Sequence, residues 1–190
     1  MSQSYNDLPN LSFQELKDIA STMDLPFKKT KAEMAEDIAN AFKDLEHHRK
    51  KTVNKYETHE QLGEKGHEGT TYRVTYRGDE FAMKTFKGNK SSNTLRLEAD
   101  LQDKAYRAGV APRVIEYDTF SKYIVMKKMD GHLVDIVKKK GTLLKYQQKR
   151  IIEMFNLLDK AEVFHGDGNI MNFMFKGKEI YLIDFGYAKV

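Results

Sequence analysis

Three polar side chains, Asp167, Asn172 and Asp184, lie close together in sequence near the C-terminal end of this chain. His165-Gly166-Asp167 is followed by Asn172, and Asp184-Phe185-Gly186 comes after a short apolar segment. The residues on either side of the Lys176–Lys178 turn predict two short strands between these motifs. The two carboxylates, Asp167 and Asp184, and the amide of Asn172 are therefore the candidate functional groups of the chain.

The composition limits the classes of protein that fit this chain. Its 190 residues are enough for one domain with a buried core, or for one domain and a small module. The absence of cysteine excludes disulfides, zinc-thiolate sites and thiol catalysis. No signal peptide or spanning apolar segment is visible, so we expect a soluble protein inside the cell, in the nucleus or the cytoplasm, with no membrane partner. The net charge of +4 suits phosphate-rich partners and equally suits ordinary solubility.

Residues 11–45 carry the apolar periodicity of two short helices. Apolar residues recur at helical spacing in both, at Leu16, Ile19 and Met23 and then at Met34, Ile38 and Phe42. Each helix has the sequence of a capping box at its start, beginning at Ser12 and at Thr30. Leu25-Pro26 closes the first helix. The start of the second helix, where backbone N–H groups favour anions, is crowded by three lysines, Lys28, Lys29 and Lys31.

This segment resembles a SAP module, a helix-turn-helix unit that in its family binds double-stranded DNA. The matching residues are Leu11, Glu15-Leu16-Lys17, Leu25, Thr30–Met34 and Ile38. Phe27-Lys28-Lys29 stands where the family's turn commonly has a glycine. The resemblance implies that residues 1–46 bind nucleic acid, with lysine contacts to phosphate supplying most of the affinity. The alternative is a plain helical hairpin that packs on the other domain or on a partner protein.

The pattern changes from helices to strands at Tyr56. Residues 47–55 are polar and basic, and we expect them to link the helical module to a domain over residues 56–190. That domain begins with short segments rich in aromatic and β-branched residues, separated by turns that include Arg77-Gly78-Asp79. Three strands are predicted there, at Tyr56–Gly63, Thr70–Arg77 and Glu80–Phe86. They form an antiparallel sheet.

A glycine-rich segment joins the first two of these strands. Its glycines, Gly63, Gly66 and Gly69, would let the backbone close over phosphates, although alone the segment also fits an ordinary hairpin turn. Lys84 follows on a strand, and the predicted helix Leu95–Arg107 carries Glu98. We expect Glu98 to hold Lys84 in place. Two nearby acidic residues are alternative partners, Asp100 and Asp103.

Together these motifs resemble the protein-kinase-like fold. Phe81-Ala82-Met83-Lys84 matches the family's V-A-I-K, whose lysine reaches the phosphates of ATP, and the resemblance covers residues 59–190. It implies that Asp167 orients and deprotonates the acceptor hydroxyl, and that Asn172 and Asp184 bind Mg²⁺. His165 is expected to be structural. Glu64 departs from the family, since it stands where a glycine is usual.

The resemblance also assigns the middle of the chain. Two strands, Val114–Tyr117 and Lys122–Lys127, complete the sheet, and the following Met126–Gly131 is a hinge whose backbone, at Met126 and Met129, holds an adenine edge. A helix with apolar residues at Leu144, Ile151, Phe155 and Leu158 then leads to His165. Lys138-Lys139-Lys140 is a solvated charge run, with a nucleic-acid contact as the alternative.

His-Gly-Asp, with Arg96–Ala99 and Gly109–Pro112, resembles the Rio kinases and the small kinase of the tRNA-threonylcarbamoylating complex; aminoglycoside phosphotransferases share His-Gly-Asp. An activation segment and the later helices of the family are not present in the sequence, so we expect a truncated C-lobe, completed by an oligomer or a partner. The overall expectation is an α+β, minimal serine/threonine protein kinase using ATP and Mg²⁺ and targeted to nucleic acid. Its short form favours a large DNA virus or another compact genome, and a viral protein would lie in the host cell or the virion. The alternatives are a catalytically silent nucleotide-binding scaffold and a small-molecule kinase.

Overall fold

The computed structural model describes residues 5–53, 55–63 and 68–190 of the chain. It divides into two compact units, Met1–Lys55 and Tyr56–Val190. None of the described helices combines the length and the apolar character needed to cross a bilayer. The segment 64–67, which includes the predicted loop glycine Gly66, lies outside the described residues.

The first unit is a helical hairpin preceded by a short 3-10 helix, Tyr5–Asn10. Helix α1 is Phe13–Thr22 and helix α2 is Lys31–Val53. Both predicted capping boxes are confirmed: Glu15 N donates to Ser12 Oγ (3.2 Å), and Glu33 N donates to Thr30 Oγ1 (3.2 Å), with the reciprocal bonds to each glutamate carboxylate also formed. The helices bury one apolar cluster, formed by Leu8, Leu16, Ala20, Met34 and Ile38.

Helix α2 is longer than the sequence predicts. Residues 47–53, predicted as the first part of a linker, continue the helix without a break. The physical reason is local, because this stretch holds neither glycine nor proline and its lysines and arginine have favourable helix propensity. The assignment of residues 47–55 as a linker between the two units stays a prediction.

The second unit begins with a five-stranded antiparallel sheet. Its strands are β1 Glu57–Gln61, β2 Gly69–Tyr76, β3 Asp79–Phe86, β4 Val114–Asp118 and β5 Tyr123–Lys127, in the order β1-β2-β3-β5-β4. A two-residue turn joins β2 to β3, with positive φ at Arg77 (52°) and Gly78 (87°), as such hairpins require. Helix α3, Ser92–Arg107, packs on one face of the sheet. The predicted α+β fold, with an antiparallel sheet and one helix in this lobe, is confirmed.

The rest of the unit contains helices and a small sheet. Its elements are β6 Gly131–His132, α4 Leu133–Lys140, α5 Lys145–Lys160, the 3-10 helix Ile170–Asn172, β7 Phe173–Lys176 and β8 Glu179–Leu182. Helix α4 was not predicted, and Lys138–Lys140 form its exposed last turn, where cations are favourable. Gly141 ends it in the left-handed conformation (φ 79°).

Side-chain alternation along β3 determines which residues face α3. Ala82 packs with Leu95 and Ala99 of α3 on one face of the sheet, whereas Met83 packs with an aromatic cluster on the other face. Lys84 has the same orientation as Ala82, because alternate residues of a strand share a face. Glu98 lies beside Ala99 on the buried side of α3. The two charged residues are therefore directed into the same layer.

Replacing Gly69 with alanine is expected to destabilise the second unit. Gly69 pairs with Phe86, and a Cβ atom at this position would overlap the carbonyl oxygen of Thr85. Because that oxygen is backbone, β2 and β3 must separate locally, at a cost of about 1–3 kcal/mol or more. Thermal unfolding followed by circular dichroism should give a lower Tm.

Gly88→Ala is the matched control, since its Cβ would meet no atom within 4 Å. Its Tm should stay close to that of the wild type. An equally unchanged Tm for Gly69→Ala would contradict the close approach of β2 to β3.

Candidate active site

A buried ion pair joins the sheet to α3. Lys84 Nζ lies 2.7 Å from Glu98 Oε1, and the Glu98 side chain is only 2% exposed. The two alternative partners that the sequence left open do not make this contact: Asp100 is exposed, and Asp103 pairs with Arg107. Lys84 is thereby held on the α3 side of β3.

The same lysine also contacts the segment that follows β8. Lys84 Nζ lies 2.7 Å from Asp184 Oδ1. Asp184 follows β8 closely, and its backbone is in the left-handed region, with φ 65°. Burial alone would lower the pKa of Lys84, but the charges of Glu98 and Asp184 raise it overall. Burial would raise the pKa of Asp184, but Lys84 lowers it overall. Lys84 and Asp184 are therefore both charged at neutral pH.

Asp167 and Asn172 form a second constellation in the loop before β7. Asn172 Nδ2 donates to Asp167 Oδ2 (2.9 Å) and to the Asp167 carbonyl oxygen (3.1 Å). The Ile183 N–H donates to the Asn172 carbonyl oxygen (2.9 Å), so this loop is joined to the residue before Asp184. The amide nitrogen of Asn172 faces Asp167, and its amide oxygen has no hydrogen-bond partner among the described residues, so this oxygen can contact a ligand.

The buried ring of His165 joins this loop to the residue before Asp184 through hydrogen bonds. It is 3% exposed, its Nε2 lies 3.0 Å from the Ile183 carbonyl oxygen, and the Asp167 N–H donates to Nδ1 (3.3 Å). The ring also packs edge-on against Phe185, with 4.7 Å between centroids. A carbonyl on one side and an N–H on the other fit the neutral ring protonated on Nε2.

Position 166, between His165 and Asp167, has room only for a glycine. Gly166 has φ 82°, and a Cβ atom there would lie 2.5 Å from the Tyr187 carbonyl oxygen. The neighbouring Phe164 pairs with Lys189 in an antiparallel bridge, which brings the chain after Asp184 against this loop. A larger side chain at position 166 would separate the two segments.

The predicted nucleotide-contacting backbone is only partly described. Gly63 has a positive φ of 70° and Gly69 lies in β2, while Gly66 lies outside the described residues. Met126 lies within β5, bonded between β3 and β4, and its buried sulfur accepts from Gln102 Nε2. Met129, also buried, follows the strand. The adenine contact expected of Met126 and Met129 stays a prediction.

Two charged residues of this site were missed by the sequence interpretation. Lys90 is only 8% exposed, and its Nζ lies 2.9 Å from Glu98 Oε2 and 2.8 Å from Glu68 Oε2. Glu98 thus receives one lysine on each carboxylate oxygen. A lysine in a polar turn before a helix is normally solvated, so no sequence signal marked Lys90 as buried.

The oxygen atoms at this site suit a hard divalent cation. Carboxylate oxygens of Glu68, Glu98 and Asp184 all lie within 4.8 Å of one another. Both oxygens of Glu98 already contact lysines, so Asp184 and the free amide oxygen of Asn172 fit the role better. Mg²⁺ prefers one or two carboxylates together with phosphate and water oxygens, which is compatible with this donor set.

Comparison with known proteins agrees with this architecture. No protein-family model matches the chain. A protein of Archaeoglobus fulgidus, provisionally named a serine/threonine-protein kinase BUD32 homolog, is 33% identical over 93 residues, which are 49% of this chain and 45% of that protein. A protein of Methanosarcina mazei, provisionally named a bifunctional tRNA threonylcarbamoyladenosine biosynthesis protein, is also 33% identical over 93 residues, 49% of this chain and 16% of that protein.

A third relative is viral. A protein of Acanthamoeba polyphaga mimivirus, provisionally named a serine/threonine-protein kinase, is 28% identical over 155 residues, 74% of this chain and 27% of that protein. The chain spans less than half the length of each of these curated relatives. Together with the sheet, α3 and the small helical unit, these distant relatives support a protein-kinase-like fold.

The stability of the second unit is expected to fall as the pH falls below about 6.5, the ordinary pKa of histidine. Burial lowers the pKa of His165, and this outweighs its hydrogen bonds and the charges of Asp184 and Asp167, which raise it. Above pH 6.5 the His165 ring is neutral in both the folded and the unfolded chain. Below this pH the ring binds a proton in the unfolded chain but stays neutral in the folded one, so the free energy of unfolding falls. This single group contributes a slope of at most about 1.4 kcal/mol per pH unit.

Chemical unfolding measured between pH 7.5 and 5.5 would test this. The variant His165→Gln should be less stable at pH 7.5 but should lose less stability on acidification. Asn156→Gln, at an exposed position on α5 of the same unit, should keep the wild-type slope. Equal slopes in all three proteins would contradict the assignment of a neutral, buried His165.

Proposed function

We propose that this chain is a phosphotransferase that uses ATP and Mg²⁺ and phosphorylates serine or threonine hydroxyls of proteins. The observation that carries the proposal is the bridge made by Lys84, whose Nζ lies 2.7 Å from both Glu98 Oε1 and Asp184 Oδ1. An ammonium group held in this way is directed at the point where Asp184 would bind a metal. It can therefore bind the phosphates associated with that metal.

The residues around this point have distinct roles in the proposed reaction. Lys84 donates to the phosphates, and Glu98 fixes the position of Lys84. Asp184 and the amide oxygen of Asn172 would hold Mg²⁺. When bound, the metal neutralises charge on the transferring phosphoryl group.

Asp167 acts on the acceptor. Asn172 Nδ2 donates a hydrogen bond to its Oδ2, and the Asn169 N–H donates to its Oδ1. These bonds fix the orientation of the carboxylate. The acceptor hydroxyl gives its proton to Asp167, its oxygen forms a bond to the γ-phosphorus, and the bond from that phosphorus to the bridging oxygen breaks to release ADP. The choice of a protein hydroxyl as acceptor is supported by the names of two relatives.

Replacing Asp167 with asparagine is expected to suppress transfer while sparing nucleotide binding. The carboxylate acts on the acceptor, and in this mechanism it is not a main nucleotide ligand. Loss of a positioned general base typically costs about 10²- to 10⁴-fold in rate. Transfer of radiolabelled γ-phosphate would be followed to the chain itself, to a generic basic protein and to proteins of a host extract, with ATP binding measured by calorimetry.

Two variants complete this experiment. Lys84→Ala should weaken MgATP binding, whereas Asp159→Asn, at an exposed position on α5, should change neither binding nor transfer. If the wild type and Asp167→Asn both bind ATP and neither labels any acceptor, the chain is a nucleotide-binding scaffold instead. Transfer to a small molecule alone would replace the protein acceptor by that class.

We further propose that the first unit binds duplex DNA through the start of α2. Lys29 and Lys31 are exposed there, at the N-terminus of a helix, where the helix dipole favours anions. Lys28 is partly neutralised, because its Nζ lies 3.0 Å from Asp37 Oδ2. Exposed Phe27 precedes this group. The contacts are electrostatic, so they would carry little sequence preference.

Removing charge at this helix start is expected to weaken DNA binding. Lys29→Ala and Lys31→Ala in the full chain should each reduce affinity and lower the log-log salt slope by about 0.9 per lost phosphate contact. Lys28→Ala should have a smaller effect because Asp37 already pairs with Lys28. Fluorescence anisotropy with labelled duplex DNA would measure both quantities.

Lys43→Ala is the matched control, since Lys43 is exposed on α2 but lies away from its start. If all four variants bind DNA as tightly as the wild type, the helical hairpin is not the binding unit. Preference for RNA over duplex DNA would contradict the proposed ligand while keeping the proposed surface.

A further inference from the structure

The glycine-rich segment places a carboxylate inside the site. Glu68, the residue before Gly69, has Oε2 2.8 Å from Lys90 Nζ, and a Cβ atom built on Gly186 would lie 2.7 Å from the same oxygen. Glu68 therefore lies against the backbone of the Asp184–Gly186 segment. This is the region in which the phosphates would bind under the proposed function.

Lys90 belongs to the same site as Lys84. Both ammonium groups lie over the ring of Phe86, at 5.1 and 5.0 Å from its centroid, and each contacts one oxygen of Glu98. A buried ammonium group needs charged partners to offset its loss of hydration. Glu98 and Glu68 supply them for Lys90.

The two carboxylates on Lys90 are not equally fixed. Glu98 is 2% exposed, comes from the middle of α3 and is held on both oxygens. Glu68 is 35% exposed and comes from the loop before β2. Of the two, Glu68 can leave without disturbing a helix or the buried pair with Lys84.

We propose that Lys90 is a second phosphate-binding lysine and that Glu68 occupies its phosphate position when no nucleotide is bound. A phosphate oxygen and a carboxylate oxygen accept equivalent charge-assisted hydrogen bonds from an ammonium group. Binding of the triphosphate therefore exchanges one anion for another at Lys90 Nζ. This inference rests on the proposed function, because it concerns the same nucleotide site.

The exchange has a defined thermodynamic consequence. A ligand that must displace an internal group binds with an affinity reduced by the fraction of molecules in which the site is open. Glu68→Gln keeps the size of the side chain but removes its charge, so it weakens the contact with Lys90 and the repulsion of phosphate. The substitution should therefore improve binding, whereas loss of a purely structural clamp would not.

Calorimetry on the full chain with MgATP, and with adenosine as a ligand lacking phosphates, tests this inference. Glu68→Gln should tighten MgATP binding by about 10-fold. Lys90→Met should weaken it by about 10- to 100-fold, the usual effect of losing a hydrogen bond to a charged group. Adenosine affinity should not change in either variant.

Two further variants exclude simpler explanations. Glu60→Gln removes the same charge from β1, where Glu60 pairs with Arg73 at 2.7 Å, and it should leave MgATP affinity unchanged. In the Lys90→Met background, Glu68→Gln should lose most of its effect, because the competition is for Lys90. If Lys90→Met does not fold in thermal unfolding, Lys90→Gln replaces it.

The outcomes separate this inference from the proposed function. A wild-type chain that binds adenosine and MgATP, with Glu68→Gln binding MgATP no more tightly, would overturn the exchange alone. Equal tightening in the presence and absence of Lys90 would also overturn it, since the effect would then be general repulsion. A wild-type chain that binds neither ligand would overturn the proposed function itself.

Discussion

The ion bridge centred on Lys84 is the interaction on which the arrangement of the second unit depends. It connects β3 to the next helix, α3, and to the segment after β8, which lies 100 residues further along the chain. Removing one member of a buried pair typically costs about 3–5 kcal/mol, because the remaining charge is left without a partner. The bridge therefore requires α3 to pack with Glu98 toward the sheet, and it requires the chain after β8 to return to the edge of that layer.

The loop before β7 is held by hydrogen bonds from its side chains to backbone groups and by one close backbone approach. Gly166 allows the Tyr187 carbonyl to approach, and His165 joins the Ile183 carbonyl to the Asp167 N–H. These contacts orient Asp167 relative to the strand that leads into Asp184. Because each is short and local, a change of one side chain can shift a functional group without unfolding the unit.

Much of this fold could be predicted from sequence, since it follows from local patterns. Strand alternation and turn residues gave β2, β3 and the turn between them, and the capping boxes at Ser12 and Thr30 gave the starts of two helices. The end of α2 and the whole of α4 could not be predicted, because charged residues with good helix propensity resemble a solvated linker. Glu68 and Lys90 were missed for another reason: their burial depends on contacts between distant segments.

The charge balance of the site limits what can enter it. Three carboxylates, Glu68, Glu98 and Asp184, surround two ammonium groups, so the cluster carries an excess of one negative charge before any ligand binds. In the proposed function, a polyphosphate alone would add negative charge to this cluster at short range, where Coulomb energies are large. A divalent cation reverses that balance at the Asp184 side, and departure of Glu68 reverses it at the Lys90 side. In the proposed function, nucleotide binding is therefore coupled both to the metal and to the position of the Glu68 side chain.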